Sequence, residues 1–256
     1  MDLNLAGQGV AVFGSSNGIG RAIADEFVKE GCQVRGFDRV GREETDAQLP
    51  TTLGDVTRYE EVKTFAAEFD TIDHLVFSVG VGSGKFGFPF WNLEPEDWAR
   101  VLEINLIGAV NVAHAFAPQL IERGRGSILF LVSVAGQIGS QTDPPYSAAK
   151  AGLINFTQCA AKDFAVYGIR VNALSPGMVQ TNLNEAVWAA SQAATSEARK
   201  QSYASWAEEK IHKVSPLGRW QTSGEYAAMA TFLASDHGRN ITGQTINIDG
   251  GQVMHS

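Results

Sequence analysis

Tyr146 and Lys150 stand four residues apart, and Ser133 precedes the tyrosine by thirteen positions. On a helix, a Tyr-x-x-x-Lys pair puts both side chains on one face, one turn apart. An ammonium beside a phenol favours the phenolate and lowers the tyrosine pKa from its ordinary value of about 10. Such a tyrosine can give and take a proton near neutral pH. A serine hydroxyl from a neighbouring strand end can hold the oxygen that exchanges this proton. A second chemical pattern lies near the start, Gly14-Ser15-Ser16-Asn17-Gly18-Ile19-Gly20. Glycines remove Cβ atoms where the backbone turns sharply, and they let a pyrophosphate approach a helix N-terminus. The spacing is not the Gly-x-Gly-x-x-Gly of the commonest dinucleotide fingerprint, and a plain strand-to-helix turn is the alternative. Together the two patterns point to redox chemistry.

The elements that must position these groups follow from periodicity. Gly9-Val10-Ala11-Val12-Phe13 predicts a short buried strand, and helical spacing runs from about Ile19 to Glu30 through Ile23, Phe27 and Val28. Gln33 to Phe37 predicts a second strand, 59–69 a helix, and His74 to Val79 an apolar strand ending in Gly80. A long helix is expected from Pro95 to about Ile121, a strand over Ser127 to Val132, and another long helix from Pro145 to Tyr167. Ile169 to Leu174 predicts a strand, Ser223 to Ala234 a helix, and Thr245 to Ile248 a last strand. Strands alternate with helices, and the strands are continuous apolar runs, which predicts a parallel sheet covered on both faces. The expected fold class is α/β, a doubly wound parallel sheet of Rossmann type, with residues 1–256 as a single domain. One segment departs from this alternation, a helical insertion from about Thr181 to Val214 carrying Leu183, Val187, Trp188, Tyr203, Trp206 and Ile211. In a doubly wound sheet it lies over the carboxyl ends of the strands, where ligands bind. It reads as a substrate lid, with plain packing or a subunit contact as alternatives.

The second predicted strand ends at Asp38, followed by Arg39. A carboxylate at that distance from the glycine turn can accept hydrogen bonds from the adenosine ribose, and it repels a 2′-phosphate. NAD is therefore expected over NADP. An arginine there can pair with a phosphate, but an uncompensated anion against a phosphate weighs more. A solvated turn aspartate is the structural alternative. Asp55 and Val56 follow the next predicted strand and are candidates for the adenine edge.

A chain of 256 residues with 44% hydrophobic and 19% charged residues fits a soluble protein with a sizeable core. The net charge of −8 argues against nonspecific nucleic-acid binding and against an anionic membrane surface. No run reaches the ~18 consecutive apolar residues of a membrane span. The start lacks a basic segment followed by a long apolar run, so no signal peptide is expected and a cytoplasmic location is the default. Cys32 and Cys159 read as isolated buried thiols rather than a disulfide. The five histidines, His74, His114, His212, His237 and His255, show no metal-ligand spacing and read as surface or helix-packing residues, so no metal is expected.

With these residues in hand, the chain resembles the short-chain dehydrogenase/reductase family along nearly its whole length. The matching pieces are Gly14-x-x-x-Gly18-x-Gly20, Asp55-Val56, Asn105 in Glu-Ile-Asn-Leu, Ser133 before Val-Ala-Gly, Tyr146-x-x-x-Lys150, Asn172, Pro176-Gly177 and Thr181. The resemblance implies Tyr146 as general acid/base, Lys150 on the nicotinamide ribose, and Ser133 on the substrate oxygen. It implies that Asn105 kinks its helix and anchors a water linking Lys150 to solvent. Expected cofactor contacts are Gly14, Ser16, Asn17, Gly18, Ile19, Gly20, Asp38, Asp55, Val56 and Gly80, with Tyr146 and Lys150. Pro176, Gly177, Val179 and Thr181 are expected around the nicotinamide. The implied reaction is hydride transfer between an alcohol carbon and the nicotinamide. Family members are commonly tetramers built through the two long helices, and in the second of these Leu153, Phe156 and Phe164 could supply apolar surface or core.

Two positions depart from the family pattern. Phe13 stands where a threonine usually precedes the first motif glycine, and Ser78-Val79-Gly80 replaces Asn-Ala-Gly. In the family those threonine and asparagine side chains brace the loops around the adenosine end. Substrate clues are mixed. The Val81–Trp91 loop is rich in Gly and Phe and suits an apolar wall, whereas Ser140, Gln141 and Thr142 could hydrogen-bond a hydroxylated substrate. Trp91, Trp188, Trp206 and Trp220 read as structural more than ligand-stacking. The expected activity is NAD-dependent oxidation of a secondary hydroxyl on a small polyol, sugar derivative or cyclic alcohol. The alternatives are an NADPH-dependent 3-oxoacyl-thioester reductase and, from another class, a noncatalytic NAD-binding sensor.

Overall fold

A computed structural model describes residues 2–41, 49–85, 89–179, 182–193 and 195–254. Thr181, His255, the 86–88 part of the Val81–Trp91 loop and the Leu183 side chain lie outside the described residues. The strands are β1 (Gly9–Phe13), β2 (Gln33–Asp38), β3 (Thr51–Leu53), β4 (His74–Phe77), β5 (Gly126–Leu131), β6 (Ile169–Pro176) and β7 (Thr245–Ile248). The helices are α1 (Gly18–Lys29), α2 (Tyr59–Ala66), α3 (Pro95–Leu102), α4 (Gly108–Arg123), α5 (Ala135–Ile138), α6 (Pro144–Ala165), α7 (Asn182–Ala193), α8 (Tyr203–Val214) and α9 (Ser223–Ala234). The seven strands form one sheet in the order β3-β2-β1-β4-β5-β6-β7, every described pair parallel. This is the expected doubly wound α/β fold, and the strand order reverses between β1 and β4.

Each strand of the sheet centre is buried on both sides, which explains the unbroken apolar runs. In β1, Val10 and Val12 face α1 and α9, while Ala11 and Phe13 face the helices of the opposite layer. Register then makes a structure that the sequence does not announce. Phe13 pairs with Phe37 of β2 and with Phe77 of β4, and Phe77 pairs with Phe130 of β5. The four phenylalanines therefore form a row across the sheet at its carboxyl end, Phe13 and Phe77 as the last residues of their strands and Phe37 and Phe130 one residue before the end. The Phe13 ring lies 5.0 Å from Phe37, 5.4 Å from Phe65 and 5.8 Å from Phe116, the last two edge-on. Phe13 thus fills a packed aromatic layer instead of offering the hydroxyl its position usually carries.

Pro95 to Arg123 is one continuous helical path in which α3 and α4 are joined by a π-helical turn, Glu103–Ile107. By length and mean hydropathy, 1.3 over 18 residues, it is apolar enough to cross a membrane. Here Val101, Ala109, Val112, Ala113, Phe116 and Leu120 are buried in the fold. In α6, Leu153 and Phe164 are buried and Phe156 packs partly against the core, so these residues belong to the interior rather than to an outer face. Cys159 is exposed, not buried, and both thiols are free. His74 is a buried strand residue rather than a surface or helix one. Its ring nitrogens meet Ser127 Oγ at 2.9 Å and Gln8 Oε1 at 2.6 Å, and burial lowers its pKa to about 4. Within the insertion, Tyr203 lies 5.8 Å from Trp188 and 6.0 Å from Trp206, a small aromatic core of its own.

Candidate active site

A cleft of about 870 Å³ opens at the carboxyl ends of the strands and is lined from both sides of the β1/β4 reversal. Open α/β sheets bind ligands at such a switch point. Gly14, Asn17, Gly18 and Ile19 line it after β1, Asp38 and Arg39 after β2, and Gly80 after β4. Gly14 has φ +81°, and a Cβ there would meet the Ser78 carbonyl carbon at 3.0 Å, so the turns after β1 and β4 touch through backbone. A Cβ on Gly20 would fall 2.1 Å from Gly14 O, so only glycine lets α1 start this close to its strand. The first turn of α1 carries no acidic residue, and its N-cap Asn17 makes no side-chain capping bond. That leaves a helix N-terminus with free N–H groups beside glycine backbone, a fit for a dinucleotide pyrophosphate.

Ser16 and Gly20 support this end without lining it. The Ser16 N–H donates to Asp38 Oδ2 at 2.9 Å and its hydroxyl to Val40 O at 2.7 Å, while Asp38 Oδ1 accepts the Val40 N–H at 3.2 Å. These bonds fix the carboxylate at the cleft and use about two of its roughly four lone-pair sites. Asp55 and Val56 also line the cleft. Burial opposes ionisation of Asp55, but bonds from the Thr57 N–H at 2.9 Å and hydroxyl at 2.8 Å, with Arg39 and Arg58, hold its pKa below the usual value. Arg39 Nε lies 3.8 Å from Asp55 Oδ2, so this arginine has a carboxylate partner in its own wall.

The chemistry-bearing residues converge across the cleft. Pro144 and Pro145 open α6 where their missing N–H groups leave no gap in the helix ladder. Tyr146 and Lys150 follow on one face and line the cleft with Ser133, which comes from the turn after β5. The Lys150 ammonium lies 5.5 Å from the centre of the Tyr146 ring. It donates to Leu131 O at 2.8 Å and Val79 O at 3.5 Å. Asn105 lies behind them, fully buried in the π-helical turn. Its amide nitrogen donates to Val81 O at 2.8 Å and Val101 O at 2.9 Å, and its oxygen accepts the Val81 N–H at 3.2 Å. The side chain thereby ties the loop after β4 to the helix, two residues from the carbonyl that Lys150 meets. α5 packs against the same turn of α6. A Cβ on Gly136 would come within 2.7 Å of the Lys150 backbone, and this four-residue helix has no periodic signal in the sequence.

The expected depression of the Tyr146 pKa is not met in the protein alone. Burial pushes the phenol up to about 12, the Ser133 hydroxyl bond pulls it down, and Asp143 pushes it up again. Burial also lowers Lys150 to about 7. Burial drives both groups towards their neutral forms, an effect that residue spacing does not carry.

Pro176, Gly177 and Val179 line the cleft. Ser140 and Thr142 line it too, but Gln141 is exposed and does not, which corrects its expected substrate contact. Asp143 was missed. Its Oδ2 accepts the Ser83 N–H at 2.7 Å, and burial raises its pKa against the pull of the Ser83 and Tyr146 backbone N–H groups. From the insertion, Asn184, Val187, Lys210 and Val214 line the cleft. Lys210 had a legible signal: Trp206, Lys210 and Val214 recur at four-residue spacing, one face of α8.

A family model described as enoyl-(acyl carrier protein) reductase matches residues 13–253. The 3-oxoacyl-[acyl-carrier-protein] reductase FabG of Thermotoga maritima is 31% identical over 98% of this chain and 100% of its own length. Nodulation protein G of Rhizobium meliloti is 32% identical over 98% of each chain. The solved structure of the aldohexose dehydrogenase AldT of Thermoplasma acidophilum, in ligand-free form, superposes with a TM-score of 0.87 at 26% identity, covering 100% of this chain and 98% of that one. A reversal-point cleft with a glycine cradle and whole-length matches of this kind lead to one conclusion: the chain belongs to the short-chain dehydrogenase/reductase family, oxidoreductases that work with a nicotinamide cofactor.

Proposed function

We propose that the protein is an NAD-dependent dehydrogenase acting on a secondary hydroxyl of a small polyol, sugar derivative or cyclic alcohol. The observation that carries this reading is the meeting of Ser133, Tyr146 and Lys150 on one side of a cleft whose other side presents Asp38. A bound nicotinamide supplies the hydride acceptor in oxidation and the hydride donor in reduction. Ser133 holds the substrate oxygen beside the Tyr146 phenol, and Tyr146 takes its proton during oxidation or returns it during reduction. Positive charge arriving in this dry pocket favours phenolate, opposing the burial that raises Tyr146. Lys150 is held by the Leu131 and Val79 carbonyls, so it can bind a ribose hydroxyl and shuttle charge without moving. Asn105 positions that segment by bonding both backbone groups of Val81. Asp38 selects NAD by accepting ribose hydroxyls and repelling a 2′-phosphate.

The insertion serves as lid and substrate wall, a role supported by Asn184, Val187, Lys210 and Val214 in the cleft lining. The same reading includes a cytoplasmic homotetramer without nucleic-acid or membrane partners, and light scattering after size exclusion tests its mass. A second reading, an NADPH-dependent 3-oxoacyl-thioester reductase, is favoured by the names of several relatives. A panel of alcohols, ketones and 3-oxoacyl thioesters against both oxidised and both reduced cofactors separates the two. Greater activity with NADPH and a thioester rejects the first. Tyr146→Phe should lower kcat by about 10²- to 10⁴-fold while NADH still binds. Full turnover by that variant removes the acid/base assignment.

A further inference from the structure

The substrate end of the cleft holds a cation that the hydride chemistry does not use. Lys210 reaches it from α8, and Val187 and Val214 also line the cleft. Lys29, Lys63, Lys85 and Lys200 each lie against a glutamate or aspartate. Lys210 has no such partner among the described residues, and its ammonium faces the Trp206 ring at 4.3 Å from the centre. An aromatic face steadies a cation but does not neutralise it. Burial brings the Lys210 pKa down to about 8, which still leaves it mostly charged at neutral pH. A half-buried charge in a cleft wall is under-solvated, and an anion delivered there relieves that cost.

We propose that the substrate is a hydroxy acid whose carboxylate pairs with Lys210. The proposal rests on the alcohol-oxidation reading: the secondary carbon gives up hydride to NAD⁺, its O–H proton passes to Tyr146, the C=O bond forms, and a hydroxy acid leaves as an oxo acid. One negative charge suits this site better than two. Lys210 is the lone cation facing the cleft from the insertion among the described residues, and Asp143 in the same lining opposes further negative charge. A phosphorylated alcohol would bring nearly two charges to one ammonium.

The test uses the full chain, as wild type, Lys210→Met and Lys210→Arg, with matched probes: glycerate and glycerol, gluconate and sorbitol, 3-hydroxybutyrate and 1,3-butanediol, and glycerol 3-phosphate. Reduction of NAD⁺ gives kcat and KM, and the fluorescence of bound NADH reports acid binding without turnover. Wild type should prefer the acid in at least one pair. Lys210→Met should lower the acid-to-alcohol ratio of kcat/KM about 10- to 100-fold, the worth of one charge-assisted bond, mainly through KM. Lys210→Arg should keep most of that ratio. Preference for the neutral member in every pair, an unchanged ratio in Lys210→Met, or glycerol 3-phosphate outcompeting glycerate overturns the proposal. If no probe is oxidised, acid binding to the NADH-loaded protein decides. Binding weakened tenfold or more by Lys210→Met supports the carboxylate site, and no acid binding to wild type ends it. Should Lys210→Met fail to fold, a chloride titration of acid against alcohol turnover in wild type replaces it, and equal salt sensitivity overturns the proposal. A wild type that oxidises only neutral alcohols refutes the acid and keeps the dehydrogenase. One that binds acids through Lys210 but never transfers hydride does the reverse.

Discussion

Replacing Lys150 by methionine should abolish turnover and yet stabilise the cofactor-free protein near neutral pH. Lys150 is 2% exposed, and burial moves its pKa from 10.5 to about 7. At about 1.4 kcal/mol for each tenfold in proton affinity, this is a cost of about 5 kcal/mol. The folded pKa lies below the unfolded one. Between about pH 7 and 10.5 the unfolded chain therefore holds a proton that the folded chain has shed, and stability rises with pH across that window. Below it, the wild type carries the whole cost. Methionine is close in size and uncharged, so it removes the penalty without leaving a large void. It also loses the bonds to Leu131 O at 2.8 Å and Val79 O at 3.5 Å, which takes back about 1–3 kcal/mol. The net expectation is a gain of about 2–4 kcal/mol at pH 6, shrinking as pH rises and gone between about pH 8 and pH 10. Tyr146, at about 12, leaves this window undisturbed. Urea denaturation of both proteins at fixed concentration and at pH 6, 7.5 and 9 measures the difference. A variant less stable at pH 6, or a difference flat across the series, refutes the reasoning.

Three further outcomes follow from the geometry. Asp38→Asn keeps one acceptor oxygen, enough for one of the two bonds from the Ser16 and Val40 N–H groups, and removes the charge, so the ratio of kcat/KM for NAD over NADP should fall at least about tenfold; an unchanged ratio removes Asp38 from cofactor selection. Phe13→Thr empties the middle of the phenylalanine row and should cost about 3–5 kcal/mol in denaturation, whereas a loss under about 1 kcal/mol means the row is not a packing unit. Asn105→Ala strips both Val81 backbone groups of their partner and should cost about 2–4 kcal/mol together with a fall in kcat; normal kcat in the folded variant removes its positioning role.

The sheet was legible because burial on both faces leaves unbroken apolar runs, as in Gly9–Phe13 and the Ile-Leu-Phe-Leu end of β5. The glycine turn was legible for a similar reason: contact distances at Gly14 and Gly20 forbid any side chain, so residue type and geometry are nearly one fact. Other features depend on what lies beyond the local chain. α6 is apolar on more than one face, so spacing could not say that Leu153 and Phe164 look inward while Cys159 looks out. Gln141 and Asp143 are two positions apart, and only the turn into α6 decides that the carboxylate enters the cleft and the amide does not. The phenylalanine row required strand register, which no single segment carries.

This division has a physical origin that bears on substrate choice. The glycine-turn side of the cleft is built largely from backbone, through glycine turns, helix N–H groups and a carboxylate fixed by main-chain bonds. Backbone positions follow from the sheet, so any chain with this fold and these glycines presents nearly the same surface. The opposite wall is built from side chains of the insertion, where Trp206, Lys210 and Val214 share one face of α8. Side chains there can change without disturbing the sheet, because the insertion holds its own small aromatic core of Trp188, Tyr203 and Trp206. Relatives with one hydride chemistry can therefore diverge in substrate through a few positions of this insertion. On that logic, Lys210 rather than Tyr146 is the residue whose replacement should redirect this protein among alcohols.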